Sequence, residues 1–468
     1  MDVALLLTGG RLATPEGEIR GSVAVDDGRI VGIVPAGEAG PNAQRTVDVA
    51  GALVLPGLID THTHARDPSV DRREDFGTAT AAAAAGGITT ILEMPISSPA
   101  VSDGAIWRRR FSLVQPKAHV DFGLYGGAGA DNLDAIEGLA EAGAVGYKTF
   151  RTPRPVGREQ EFVGLVATEA PEYLAALGAV ARTGLVSVVH AEDPQLLLAR
   201  EATLRGRGVP GEEPAGAMVH ARWRPPIVEE SSVAQSLELA RAAGARIQIA
   251  HASTPHAVDL VTRARADGVA ATVETCPHYL FLDETALELH GGFAKINPPL
   301  RRTELVDGLW ERVRAGEVDV IGSDHSPFLP EEKLPPDGDV WKALPGAPGL
   351  EAMLPLLLTA IEDGRLRLEQ LLALTSGNAA AIFGLPAKGR LAVGADADLA
   401  IVETGGPWRL DPSTWLTRSR GTAAIWAGRE VRGRVRSTWV RGECVWDAAT
   451  ETLGSAGWGR VVRPTTSA

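Results

Sequence analysis

The chain has 468 residues, 44% of them apolar and 22% charged, with a formal net charge of −13. That balance fits a globular protein with one large domain, or a large and a small one. It argues against a nucleic-acid or anionic-membrane partner, and no apolar run reaches the roughly 20 residues that span a bilayer. Two cysteines, Cys276 and Cys444, are too few for a disulfide framework and fit a reducing, cytoplasmic setting. The opening MDVALLLTGG carries Asp2 and no basic stretch, unlike a secretory signal.

The first fifty-odd residues read as β-structure. ALLLTGGRLATPEG and SVAVDDGRIVGIVP are short apolar strands broken by the turn-forming TGG, PEG and DDG. A related texture returns in GRLAVGADADLAIVE and RGRVRSTWVRGECVWD, so the two ends are expected to pair into one small sheet domain. Between them, eight short apolar runs alternate with Ala- and Leu-rich helical patterns. They cover 53–59, 89–94, 120–125, 144–150, 185–190, 246–251, 270–275 and 318–322. Continuous apolar strands separated by helices predict an α/β fold, a parallel sheet covered on both faces. Eight units predict a (β/α)8 TIM barrel over 56–385, with a small β-sandwich built from 1–55 and 386–468. A doubly wound open sheet is the alternative. Two connections, 151–171 and 327–348, are long and rich in Pro and charge, as lids and substrate walls often are.

Barrel chemistry sits where strands end at their C-terminal side. Here the first run ends in His62 and His64, the fourth in Lys148, the fifth in His190, the sixth in His251 and the eighth in Asp324 and His325. Residues i and i+2 of an extended chain face the same side, so His62 and His64 point together, and neutral imidazoles suit zinc-like ions. Each residue alone has a plainer reading. The HxH pair could be surface or hydrogen-bonded core, Lys148 a snorkelling lysine, and Asp324 a turn cap. The joint pattern is what points to metal. An ammonium repels cations, but a buried neutral amine can add CO2 and become a two-oxygen anionic bridge. His278 lies where it either lines the mouth or packs, and Cys276 reads as a small buried residue. His256, His119, His220 and His290 lack any supporting pattern.

PGLIDTHTHARDP, AAAAGGITTILEMP, GAVGYKTF, VVHAED, IAHAST, VETCPHYLFLD, AKINPPLR, VIGSDHSPF and GRLAVGADADLAIVE resemble the cyclic amidohydrolases. That group holds allantoinases, dihydropyrimidinases (hydantoinases) and dihydroorotases. The likeness spans nearly the whole chain with the motifs in family order. It implies a metal-dependent barrel plus β-sandwich that opens a cyclic amide or ureide. It also implies two divalent ions, zinc with cobalt or manganese as alternatives, bridged by a carboxylated Lys148. His62, His64 and Asp324 would ligate one ion, and His190 and His251 the other. Asp324 would be general base and acid, and the assembly a homo-oligomer, tetramer or dimer.

CPHYLFLD, AKINPPLR, LWERVRAGEVDVIGSDHSP and DVWKALPGAPGLE most resemble the allantoinase branch, which opens allantoin to allantoate. Hydantoinases usually carry a tyrosine five residues after the bridging lysine and a polar residue after the seventh-strand cysteine; Pro153 and Pro277 stand here. Dihydroorotases read a carboxylate with an arginine just after HxH and an asparagine after MP. Arg66 fits the first, and Ile96 replaces the second. Arg66, Asn297 and His325 are the candidate substrate contacts. Arg66 is otherwise a partner for Asp67 or Glu74, and Asn297 a turn residue. Two rival readings remain: a scaffold without catalysis, and a mononuclear deaminase with no need of Lys148.

Overall fold

A computed structural model describes residues 2–70, 72–206 and 216–465. Its centre is a ring of short parallel strands: Leu58–Thr63, Ile88–Glu93, Asp121–Leu124, Tyr147–Phe150, Ser187–His190, Ile247–Ile249, Ala271–Thr275 and Val320–Ile321. Nearly every residue in them is buried, which is why they read as unbroken apolar runs rather than alternating ones. Neighbours pair in chain order. The third and fourth strands are joined through Val145 N–H to Leu124 O and Gly126 N–H to Gly146 O, both 3.0 Å. A parallel bridge between Thr63 and His325 closes the ring, and the His64 amide donates to His325 O at 2.8 Å. Closure excludes the open-sheet alternative.

Helices cover the outside. The Ala-rich helix Phe76–Ala85 starts at Asp75, whose carboxylate accepts from the Thr78 amide at 2.8 Å. The helices Ala170–Thr183, Pro226–Ala243 and Thr303–Ala315 stop at Gly184, Gly244 and Gly316, with φ of 71°, 66° and 76°. Those left-handed caps cost glycine nothing sterically.

The chain ends meet as expected. Five strands between Val3 and Pro56 and four between Leu399 and Leu453 form one nine-stranded, mostly antiparallel sheet. Leu5, Leu7, Val25 and Val54 from the first end share a core with Leu399, Ile401 and Trp439 from the other. The run at 53–59 proves to be two strands. Leu53–Pro56 pairs with Leu399–Val402 in the terminal sheet, and Leu58–Thr63 begins the barrel. Gly57 makes the crossing, and a Cβ there would lie 2.1 Å from Thr89 Oγ1. Sheet and barrel are also tied by a buried ion cluster. Lys388 Nζ bonds Asp398 at 2.7 Å and Asp396 at 3.0 Å, and it reaches Asp121 on the third barrel strand. Arg441 also pairs with Asp121. No helix among the described residues is long and apolar enough to cross a membrane.

Candidate metal centre

The strand ends converge on one spot. One donor atom each of His62, His64 and Asp324 lies within 4.8 Å of the other two. Both His62 Nε2 and His64 Nε2 stand 3.4 Å from Asp324 Oδ1. Across the ring, His190 Nδ1 faces His251 Nε2 at 3.0 Å. The His62 and His251 ring centroids are 5.3 Å apart, so the two groups adjoin. Lys148 is fully buried on the fourth strand, its Nζ has no hydrogen-bond partner, and the ammonium lies 5.3 Å from the Phe150 ring centre.

Electrostatics place Lys148 at the middle of this set. Burial comes first in depressing all four imidazoles, and the field of Lys148 adds to it at each. His62 falls to about 4. All four are therefore neutral near pH 7, the form that binds metal. Burial also drives the Lys148 amine down to about 8, opposed by Glu274 and Asp324. Without a cation, burial raises Asp324 to about 8, against the pull of Lys148. A nearby divalent ion inverts that logic and holds Asp324 as carboxylate. Four neutral imidazoles, an acidic oxygen pair and an orphaned amine make a donor set that fits two divalent ions, and the protein alone leaves Lys148 Nζ, His64 Nδ1 and His251 Nδ1 without a partner.

Carboxylates behind two of the imidazoles set their tautomers. Glu274, on the seventh strand, accepts from His62 Nδ1 at 2.7 Å and from Thr61 Oγ1 at 2.6 Å, which leaves His62 Nε2 as the free lone pair. Glu192 does the same for His190 through Nε2 at 2.8 Å and is itself paired with Arg224. Asp60 binds Ser323 through backbone, 2.8 Å, and hydroxyl, 2.5 Å, and so steadies the turn that presents Asp324. Sequence reasoning assigned no role to Glu274, Glu192 or Asp60. The signal was there: a glutamate inside the apolar strand Ala271–Thr275 has no place without a partner. Left-handed backbone marks the same spot, with φ of 40° at His251, 44° at Asp324 and 55° at Arg66. Such strain persists where function holds it.

The rim residues divide. Arg66 lies beside the centre, and its charge bears on both His64 and Asp324. Its Nη2 donates to Ser326 Oγ at 3.0 Å and its guanidinium stacks 4.5 Å from the Phe328 ring centre. It pairs with neither Asp67 nor Glu74; Asp67 instead binds Lys117. Asn297 is half-buried with an unpartnered Oδ1, and the preceding carbonyl, Ile296 O, accepts from His220 Nε2 at 2.8 Å. His325 corrects the expectation of a substrate contact. Its Nε2 faces Glu74 at 3.3 Å and its Nδ1 accepts from the Gly349 amide at 3.3 Å, so neither ring nitrogen is left for a ligand. His278 is buried with Nε2 unpartnered, and burial lowers it to about 3. Cys276 is a buried free thiol, as read.

The 327–348 connection is pinned, not free. Lys333 Nζ bonds the carbonyls of Lys295, Leu344 and Gly346, and Lys295 Nζ bonds those of Val340 and Trp341. The 151–171 connection carries the short helix Glu159–Phe162 and adds Phe162 and Leu165 to an apolar cluster with Phe150 and Ile96.

A barrel whose strand ends gather four histidines, a lysine and an aspartate is compatible with an enzyme that works through a two-metal site. Sequence profiles of the amidohydrolase family match residues 53–142 and 343–446. An allantoinase from Streptomyces avermitilis is 36% identical over 94% of this chain and 95% of its own. One from Rubrobacter xylanophilus is 38% identical over 98% and 97%. Among solved structures, an L-hydantoinase (dihydropyrimidinase) from Arthrobacter aurescens superposes with a TM-score of 0.92 at 32% identity, covering 98% of this chain and 100% of that one. The chain belongs to the amidohydrolase family, and within it to the cyclic amidohydrolases.

Proposed function

We propose that the protein opens the hydantoin ring of allantoin to give allantoate, using two divalent ions. The observation that carries the metal reading is Lys148: a fully buried amine without a partner, set among four neutral imidazoles. The neutral amine of Lys148 would add CO2 and release a proton, and the carbamate would supply the anionic oxygens that help to hold the two ions. His62, His64 and Asp324 would hold one ion, and His190 and His251 the other, with zinc the best fit to these ligands and cobalt or manganese the alternatives. When bound, such ions lower the pKa of water toward ~7 and polarise a carbonyl.

The chain's own groups do the rest. Asp324 takes a proton from the attacking water and returns it to the departing ring nitrogen. Arg66 keeps Nε free of any partner, and that N–H would donate to a carbonyl oxygen of the ring. Asn297 offers its unpartnered oxygen to a ureide N–H. The ring C–N bond breaks, the carbon keeps the water oxygen as a carboxylate, and the nitrogen leaves as a ureido N–H. A homo-oligomer, tetramer or dimer, in the cytoplasm belongs to the same proposal, and light scattering checks the first part.

Allantoin is favoured over simpler rings by the allantoinase relatives and by Pro153 and Pro277 at the positions where hydantoinases carry polar ring-holding residues. The second reading, a hydantoin or dihydropyrimidine ring, is favoured by the near-complete superposition on the L-hydantoinase. A panel of allantoin, hydantoin, dihydrouracil and dihydroorotate, assayed on metal-loaded protein, separates them. The proposal expects the highest kcat/KM with allantoin. A higher value with hydantoin or dihydrouracil gives the place to the second reading.

A further inference from the structure

We propose that Glu161 is a built-in counter-ion that reserves Arg66 for neutral carbonyl groups and bars rings that carry their own carboxylate. The inference deepens the cyclic-ureide reading and rests on it. An arginine beside a metal centre is the natural grip for a substrate carboxylate, because guanidinium and carboxylate bond in matched pairs. Here that grip is already engaged from within the chain. Glu161 Oε2 lies 3.7 Å from Arg66 Nη1, its Oε1 lies 3.7 Å from Arg73 Nη1, and Arg158 closes on it directly. Three guanidiniums thus surround one carboxylate.

The arrangement is stacked as well as paired. Arg66, Arg73 and Arg158 lie 4.5, 5.5 and 5.7 Å from the Phe328 ring centre. Arg73 is claimed a second time by Glu332, which accepts from its Nε at 2.8 Å and its Nη2 at 2.5 Å. Among the described residues, Glu161 is the one carboxylate at ion-pair distance from the Arg66 guanidinium, and Arg66 Nη2 is used by Ser326. Burial pushes the Glu161 carboxyl up, but Arg158, Arg66 and Arg73 outweigh it and hold the group below the usual carboxylate range. It is therefore charged at neutral pH.

The consequence is selective. A carboxylated ring seated against Arg66 would have to share that guanidinium with Glu161, because Arg73 is already paired with Glu332 and Arg158 with Glu161, and the repulsion between the two anions weakens its grip. A neutral ureide needs only a single donor to its carbonyl, and Arg66 Nε has no other partner. Glu161 sits on the 151–171 connection, so the loop that walls the strand ends carries the selecting charge.

The test compares the full, metal-loaded chain with its Glu161→Gln variant on allantoin, which is neutral, and dihydroorotate, which carries a carboxylate. The wild type should favour allantoin. The ratio of kcat/KM for dihydroorotate over allantoin should rise about tenfold or more in the variant, chiefly through a lower KM for dihydroorotate. An unchanged ratio, or dihydroorotate as the better substrate of the wild type, overturns the proposal. If Glu161→Gln does not fold, by circular dichroism, Glu161→Ala is read the same way. If the wild type opens no ring, the functional reading fails, and Glu161 is then judged by calorimetric binding of dihydroorotate. About tenfold tighter binding to the variant upholds its role, and equal Kd values overturn it.

Discussion

Lys148 and Glu274 show how far a single residue can be read. Lys148 was legible because a lysine ending an apolar strand stands out. Glu274 was legible only in part, because an acidic residue inside an apolar strand demands a partner but gives no hint of which histidine it will face. In the structure Glu274 fixes the His62 tautomer and also receives the His251 amide at 3.2 Å. Glu274→Gln should weaken metal binding by about 10- to 100-fold, measured by competition with a coloured chelator, because the donor to Gln would no longer be polarised by a full charge. Lys148→Ala should reduce kcat by roughly a thousandfold or more, and a short carboxylic acid should restore part of it by supplying the missing bridge. Unchanged turnover in that variant would remove Lys148 from the chemistry. His325 illustrates the opposite error. Its place beside Asp324 suggested a ligand contact, yet sequence adjacency cannot reveal that the ring turns to Glu74.

Among the elements, strand positions were legible from unbroken apolar runs, but one boundary was not. The run at 53–59 is apolar on both sides of Gly57, and hydropathy carries no mark of the point where the chain leaves one sheet for another. The mark is steric. Gly57→Ala would drive a methyl into Thr89 and should destabilise the fold by about 1–3 kcal/mol in denaturant melts. The helix Leu350–Glu362 makes a second element-scale prediction. Glu351, near its start, is half-buried with its carboxyl turned inward, and it accepts from the amides of Leu416 at 2.9 Å and Thr417 at 3.4 Å, which fastens the C-terminal segment to the barrel. Burial raises its carboxyl from the ordinary 4.5 to about 8, against the pull of those amides and with a push from Glu74. Between those values the folded state holds a proton that the unfolded chain has lost. Stability from this group is therefore complete below about 4.5 and is lost as pH climbs through about 8, on the order of a few kcal/mol. Glu351→Gln should flatten the fall in melting temperature between those pH values; an identical slope in the variant would contradict this account.

For the whole molecule, the closed barrel and the meeting of the two termini followed from the alternation of runs and the β-texture at both ends. The ion cluster that locks them together did not, since Asp121, Lys388, Asp396, Asp398 and Arg441 are scattered along the chain. Burial opposes the charge on Lys388, but Asp398, Asp121 and Asp396 outweigh it and raise its pKa. Lys388→Met would strand those carboxylates with Arg441 as the remaining cation beside Asp121, and should cost about 3–5 kcal/mol. The loss should register as an earlier thermal transition.

The central claim is a pair of cations shared by one modified amine. Its most direct measurement is a metal titration of chelator-stripped protein in bicarbonate, reading bound metal and allantoin opening in the same samples. The account predicts that activity climbs as binding passes one ion per chain and levels off at about two, with Lys148→Ala failing to hold the pair. Full turnover in the stripped protein, or in protein saturated at a single ion, would contradict it.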